Sequence, residues 1–390
     1  MHIVQLNPVG EIYSPMCGGA ISTVILQQTR HLLRRGHDVT VLSVADGQEL
    51  YSQGRVLRLG PVDRHHLSFA RRRWSGLKRR LHGWDVHFYD AYKSGYAAAL
   101  SSLTPPPTAM IVHNDLITPL YLKRLFPQCK VVCWLHNEQH THHRQLSRSL
   151  QAVDAFVCVS DHVRQWTVQR YCIAVEKMHT MVNGADVEGF SPRPDLDQAN
   201  GWPRVLFLGR IDRNKGPDLV VDAVAELRRR GAEAQLTVAG GLWFGRDGDE
   251  MADPFFRELR GKIAALGAQY CGHVPRAQVP ELVRRHDIVC VLSRSQDPCP
   301  LVPLEAMASG CAVIASRRGG LPQACGQAAI LVDPDQFPSI VDALQTLVSD
   351  PAALNRRKLM SLDHARQNTW AHRADELERL LGRLVAAEET

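Results

Sequence analysis

The sequence predicts an α/β protein made of two doubly wound parallel sheets, and three observations carry that expectation. The chain has 390 residues, more than one ordinary core organises, which suits two domains of about 190. Short apolar runs alternate with amphipathic stretches in both halves, as when strands return through helices to a parallel sheet. Between the halves, Val182-Asn183-Gly184-Ala185-Asp186 reads as a turn, and Phe190-Ser191-Pro192-Arg193-Pro194 through Trp202-Pro203, rich in Pro, Gly and Asp, reads as a linker, 191–203.

In the first half, strands fit His2–Leu6, Asp38–Val44, Arg55–Leu59, Asp85–Phe88, Thr108–Val112, Lys130–Trp134 and Asp154–Val159. Gly18-Gly19 opens a helical stretch that runs to Arg35, and glycines there let backbone approach a phosphate closely. The turn lacks the compact G-x-G-x-x-G spacing of a dinucleotide site. Two strand ends carry polar clusters, His113-Asn114-Asp115 and His136-Asn137-Glu138. In an open parallel sheet, ligands gather beyond the carboxyl ends of the strands. His140, His142 and His143 follow, but no cysteine or carboxylate completes a metal-ligand spacing, so they read as surface residues.

The second half opens with a strand at Arg204–Leu208, then Gly209-Arg210-Ile211-Asp212-Arg213-Asn214-Lys215-Gly216, with a helix from Pro217. Arg210 and Lys215 flank this loop, a planar fork and a point charge suited to a diphosphate. Further strands fit Gln235–Ala239, Gln269–Gly272, Ile288–Leu292 and Ala312–Ala315. Ahead of the last of these, Asp297-Pro298-Cys299-Pro300 forms a turn, since its prolines suit neither a helix interior nor a central strand. A helix is expected over 301–309, ending at Gly310, with Glu305 about two turns in. Carboxylates beside an anion-binding helix start suit a ligand bearing both hydroxyls and phosphates.

Composition narrows the class. Hydrophobic content of 45% and charged content of 22% are those of a globular protein. No run of 18 apolar residues exists, and the N-terminus starts as a strand without a signal-peptide pattern. The ten cysteines are scattered, with no paired metal spacing, and read as reduced core thiols of a cytoplasmic protein. Residues 1–195 hold 22 Lys/Arg against 15 Asp/Glu, whereas 196–390 hold 24 against 25. Most of the excess lies between Arg55 and Arg80. Within it, 67–84 reads as a basic helix with a Trp-bearing apolar face, which suits either an ordinary domain helix with its apolar side in the core or an anionic membrane surface such as the inner face of the plasma membrane. No nucleic-acid motif accompanies the patch, so nucleic acid is not an expected partner.

The stretch Asp297-(seven residues)-Glu305-Ala306-Met307-Ala308-Ser309-Gly310 resembles the donor-site signature of the family 4 retaining glycosyltransferases, which have the GT-B fold. It departs from that signature in having Asp rather than Glu at 297 and Pro rather than Gly at 300. The G-R-x4-K-G loop resembles the family's diphosphate clamp, and Leu135-His136-Asn137-Glu138 its histidine loop. With Gly18-Gly19-Ala20-Ile21, Trp243-Phe244-Gly245 and Arg317-Arg318-Gly319-Gly320, the chain is most similar to the spore-coat-type subgroup.

The resemblance implies two Rossmann-like domains facing a cleft. The first, 1–190, would be the acceptor side, and the second, 204–367, would hold the donor. A tail, 368–390, would cross back to the first. It implies transfer from a nucleoside-diphosphate sugar, UDP-sugar favoured and GDP-mannose second, to a glycan, lipid-linked or small-molecule acceptor, with retention and no required metal. Gly18, Gly19, Arg210, Lys215, His273, Val274, Asp297, Pro300, Leu301, Val302 and Glu305 would line the donor. His136, Arg210, Lys215 and Asp297 would serve catalysis, and His113, Asn114, Asn137 and Glu138 the acceptor side. Asp247-Gly248-Asp249 matches the metal signature of another transferase class and is read here as coincidence. The competing class is a catalytically silent sugar-nucleotide or glycan-binding protein, supported only by the shortened Asp297. A phosphorylase or nucleotide-sugar epimerase on a similar scaffold is the third class. It would require donor turnover without an acceptor.

Overall fold

A computed structural model describes residues 1–8, 10–16, 19–45, 47–59, 98–194, 201–242 and 252–387. The expected strand at Asp85–Phe88, the basic segment 67–84, Gly18, the Trp243-Phe244-Gly245 run and the Asp247-Gly248-Asp249 loop lie outside them. The chain divides into two units, Met1–Met181 with Ala374–Thr390, and Val182–Arg373.

The first unit carries β1 (His2–Leu6), β2 (Asp38–Val44), β3 (Arg55–Leu59), β4 (Ala109–His113), β5 (Lys130–Leu135), β6 (Ala155–Cys158) and β7 (Met178–Thr180). Their order is β3-β2-β1-β4-β5-β6-β7 and every pairing is parallel. The order reverses at β1 and β4, the kind of switch point beyond which a parallel sheet opens a crevice. β1, β4, β5 and β6 are buried along their whole length, which is why they read as unbroken apolar runs rather than alternating ones. In the last helix, Trp370–Ala386, the turns from Ala374 onward belong to this unit. Arg35 meets Asp375, His37 meets Glu378 at 2.9 Å, and Leu377, Leu380 and Leu381 are buried.

The second unit holds β8 (Arg204–Leu208), β9 (Gln235–Ala239), β10 (Gln269–Gly272), β11 (Ile288–Val291), β12 (Ala312–Ser316) and β13 (Ile330–Val332). The order is β10-β9-β8-β11-β12-β13, again all parallel. Alternate residues feed separate cores on the two faces. Val205, Phe207, Ile288 and Cys290 pack on one side, and Leu206, Val289 and Val291 on the other. The three-residue strands β7 and β13 are absent from the sequence reading because so short a run carries no period.

The break between units falls at Val182, ahead of the 191–203 linker expected from composition. Packing overrides the Pro-rich signal here. Ala185 and Phe190 join the second core, and Asn183 Nδ2 donates to the Cys299 carbonyl at 2.8 Å. Arg193 reaches Asp287 at 2.7 Å.

Asp287 is the polar tie of this unit. It also accepts from Lys358 Nζ at 2.8 Å, with the lysine only 2% exposed, and from the Arg204 backbone N–H at 2.9 Å. Burial alone would raise the Asp287 carboxyl, but the hydrogen bonds from Lys358 and Arg204 and the charges of Lys358 and Arg193 win, holding it at about 2. A folded-state pKa below the unfolded one stabilises at neutral pH and is lost as pH falls through the window between them. That contribution is about 2 kcal/mol. Asp287→Asn should therefore be less stable than the parent at pH 7. The gap should close between about pH 4 and pH 2, as measured by urea unfolding across that range.

Candidate functional site

In the second unit the site grows from the loop after β8. Ile211 is fully buried and anchors the loop, while Asp212 accepts from the Lys215 N–H at 3.0 Å and closes a one-turn helix, Arg213–Lys215. Gly216 follows with φ +68, and a Cβ there would stand 2.2 Å from the Leu292 carbonyl oxygen, so the chain crosses close to the end of β11. Arg294 ties the crossing: its backbone N–H bonds the Asn214 carbonyl at 2.7 Å and its guanidinium grips Asp218 at 2.7 and 2.8 Å.

This crossing brings Lys215 Nζ within 2.5 Å of Asp297 Oδ2, which also accepts from Ser293 Oγ at 2.9 Å. Asp297 is 5% exposed. Its carbonyl accepts from the Gly320 N–H at 2.8 Å, and Gly319, at φ +55, packs so closely that a Cβ would meet that carbonyl oxygen at 2.2 Å. The Arg210 Nε bonds Asp212, and neither Nη nitrogen has a partner among the described residues. Arg210 is thus a cation already oriented, with its two-pronged end available.

The acidic helix differs from expectation. It spans Val302–Ala308, shorter at both ends than 301–309, so Glu305 lies in its first turn rather than two turns in. Pro303 contributes no N–H, which weakens this helix start as an anion site. Glu305 is 4% exposed and pairs with Arg276 at 2.6 Å, whose guanidinium lies over the Phe190 ring at 5.3 Å. Nothing in the sequence pointed to Arg276, because its partner is set by the turn after β10 and not by spacing. In that turn His273 is exposed and Val274 packs on the core; Leu301 is buried, and Pro300 and Val302 half-buried. Each cation here, Arg210, Lys215 and Arg276, already has a carboxylate neighbour, so the site is close to electrically neutral as it stands.

In the first unit, β4 and β5 end side by side and carry a stacked set of rings. His113 Nδ1 lies 2.8 Å from His136 Nε2, and Trp134 stacks at 5.7 Å from His113 and 5.9 Å from His136. Asn114 adopts φ +54, which lets its side-chain oxygen accept from the His136 N–H at 2.7 Å. Burial lowers the His113 imidazole well below its usual value and takes His136 to about 3, so both are neutral near pH 7. His113, expected on the acceptor side, is 1% exposed and faces inward. Its Nδ1 faces His136 and its Nε2 faces Gln5. Asn137 is exposed, and Glu138 pairs with His162 at 2.8 Å. Among the described residues no cluster of His, Cys, Asp or Glu is arranged to hold a metal ion.

Gly19 stands at the start of the helix Ala20–Arg34 as expected, but that start already holds a carboxylate. Glu11 accepts from the Ser22 N–H at 3.0 Å and from Ser22 Oγ at 3.2 Å. Burial raises the Glu11 carboxyl, and these bonds pull against the rise. Among the described residues no helix is long and apolar enough to cross a membrane.

Comparison with known proteins agrees with this arrangement. The pattern for Glycosyltransferase Family 4 matches residues 18–188, and that for Glycosyl transferases group 1 matches 193–361. Spore coat protein SA of Bacillus subtilis (strain 168) is 25% identical over 331 residues, 78% of each chain. The fold is that of sucrose-phosphate synthase from Thermosynechococcus elongatus, with a TM-score of 0.73 at 18% identity over 99% of both chains. Anabaena HepE, solved in complex with UDP and glucose, gives 0.68 at 16% identity over 98% of this chain and 100% of its own. With one family pattern on each half and the fold matched end to end, the chain belongs to the family 4 glycosyltransferases and has the GT-B fold.

Proposed function

We propose that this glycosyltransferase transfers a sugar from a nucleoside-diphosphate donor, a UDP-sugar first, with retention of anomeric configuration and without a required metal. The observation that carries the reading is Arg210, oriented by Asp212 with neither Nη nitrogen bonded among the described residues, in the loop whose other end places Lys215. In the reaction the bond from the anomeric carbon to the diphosphate oxygen breaks. The acceptor oxygen bonds to that carbon on the same face, and its proton passes to the departing phosphate oxygen. Negative charge grows on the diphosphate, and preorganised cations are most effective where charge develops. Asp297 then holds donor-sugar hydroxyls and Glu305 the ribose. HepE, which shares the fold, binds UDP and glucose, which supports UDP ahead of GDP.

A thermal-shift series with UDP, GDP and ADP and their sugars tests the donor. A ligand at 100 times its dissociation constant adds about 2.7 kcal/mol of stability, so one base should stand out. The product anomer, read by proton NMR, tests retention. Turnover should persist in excess EDTA. Its loss, with restoration by a divalent ion, would reject the metal-independent reading.

A further inference from the structure

The ring pair at the ends of β4 and β5 has a determined proton arrangement, traceable from Gln5 in β1. The Gln5 amide nitrogen donates to the Ile25 carbonyl at 3.5 Å and to Thr29 Oγ1 at 2.8 Å. A carbonyl only accepts, so the amide oxygen is the atom turned the other way, toward His113 Nε2 at 3.2 Å. That oxygen also only accepts, so His113 carries its proton on Nε2. A neutral imidazole has one N–H, leaving His113 Nδ1 as an acceptor. His136 Nε2, 2.8 Å away, must supply the proton. His136 Nδ1 is left with a lone pair. Among the described residues nothing bonds it, and His136 as a whole is half-buried, directly after the carboxyl end of β5.

A lone pair accepts from O–H or N–H and repels a phosphate or carboxylate oxygen. We infer that Gln5 and His113 are positioning residues that fix the tautomer of His136, so that its Nδ1 accepts a hydrogen bond from a carbohydrate hydroxyl. The carbohydrate identity rests on the glycosyl-transfer reading above, whereas the tautomer rests on the hydrogen-bond chain together with the neutrality of both rings. Burial keeps both rings from protonating near neutral pH, so the acceptor character persists across the working range.

Long-range proton–nitrogen spectra of the full chain, labelled with nitrogen-15 in histidine, read the tautomers directly. At pH 7 His136 should show a protonated Nε2 and an unprotonated Nδ1. Finding the proton on Nδ1 in the parent overturns the inference without any variant. Gln5→Met and His113→Leu should release His136 into mixed tautomers and lower kcat/KM by about tenfold, the worth of one neutral hydrogen bond. His113→Asn should retain the tautomer and the rate, because its Oδ1 can accept from His136 Nε2–H. Mixed tautomers with unchanged kcat/KM would overturn the hydroxyl role. A parent with the stated tautomers that transfers no sugar from any nucleotide donor would overturn the hydroxyl assignment together with the proposed function, and leave the proton chain standing.

Discussion

Arg210→Ala is expected to lower turnover by about 10²–10³-fold, the usual loss when one preorganised charge-stabilising group is removed. Folding should be unaffected, because Arg210 and Asp212 are both partly exposed and such pairs contribute about 0–1 kcal/mol. The loss should fall on kcat more than on KM, since the guanidinium gains most as charge develops on the leaving group. Arg210→Lys should recover little, because an ammonium cannot place two donors on a diphosphate while a third nitrogen stays on Asp212. Steady-state kinetics of both variants with one nucleotide sugar, alongside thermal melts, provide the check. Near-parent turnover in Arg210→Ala would remove the clamp assignment.

What the sequence made legible follows from which features are local. Strand and helix positions are local, so the apolar runs at Val131–Trp134 and Val205–Phe207 announced buried strands. Arg210 and Lys215 were legible as candidates because they flank the loop at the end of β8, and Asp297 because its stretch resembles a family signature. Their pairing was not legible. Lys215 meets Asp297 because Gly216 allows the chain to cross beside the end of β11, and Arg276, in the turn after β10, meets Glu305 in the helix Val302–Ala308. Gln5 was invisible for a different reason. A single polar residue inside an apolar strand looks like noise until the neighbouring strand supplies His113. The Pro-rich segment misled in the opposite direction, since Phe190 and Arg193 are tied into the second unit by contacts that composition does not encode.

The second large effect is expected at the pair Lys215 and Asp297. Lys215→Met should lower turnover by about 10²–10³-fold, as for Arg210, and should also destabilise the fold. Asp297 is 5% exposed and would keep, among the described residues, the Ser293 hydroxyl as its side-chain partner. A buried carboxylate deprived of its counter-charge costs about 2–3 kcal/mol. Adding Asp297→Asn to Lys215→Met should restore most of the stability and none of the turnover. That split separates a charge pair kept for folding from one used on the ligand. Asp297→Glu extends the argument, because the family signature has Glu where this chain has Asp. The backbone here is pressed against Gly319, with no room for a Cβ on that side. An added methylene is expected to carry the carboxylate past Lys215, toward the donor sugar of the proposed reaction. Turnover should fall, with the melting temperature little changed. A rise in turnover for Asp297→Glu would mean instead that the shorter side chain falls short of the sugar. Parent-like rates in both Asp297→Glu and Asp297→Asn would show that Asp297 serves Lys215 alone.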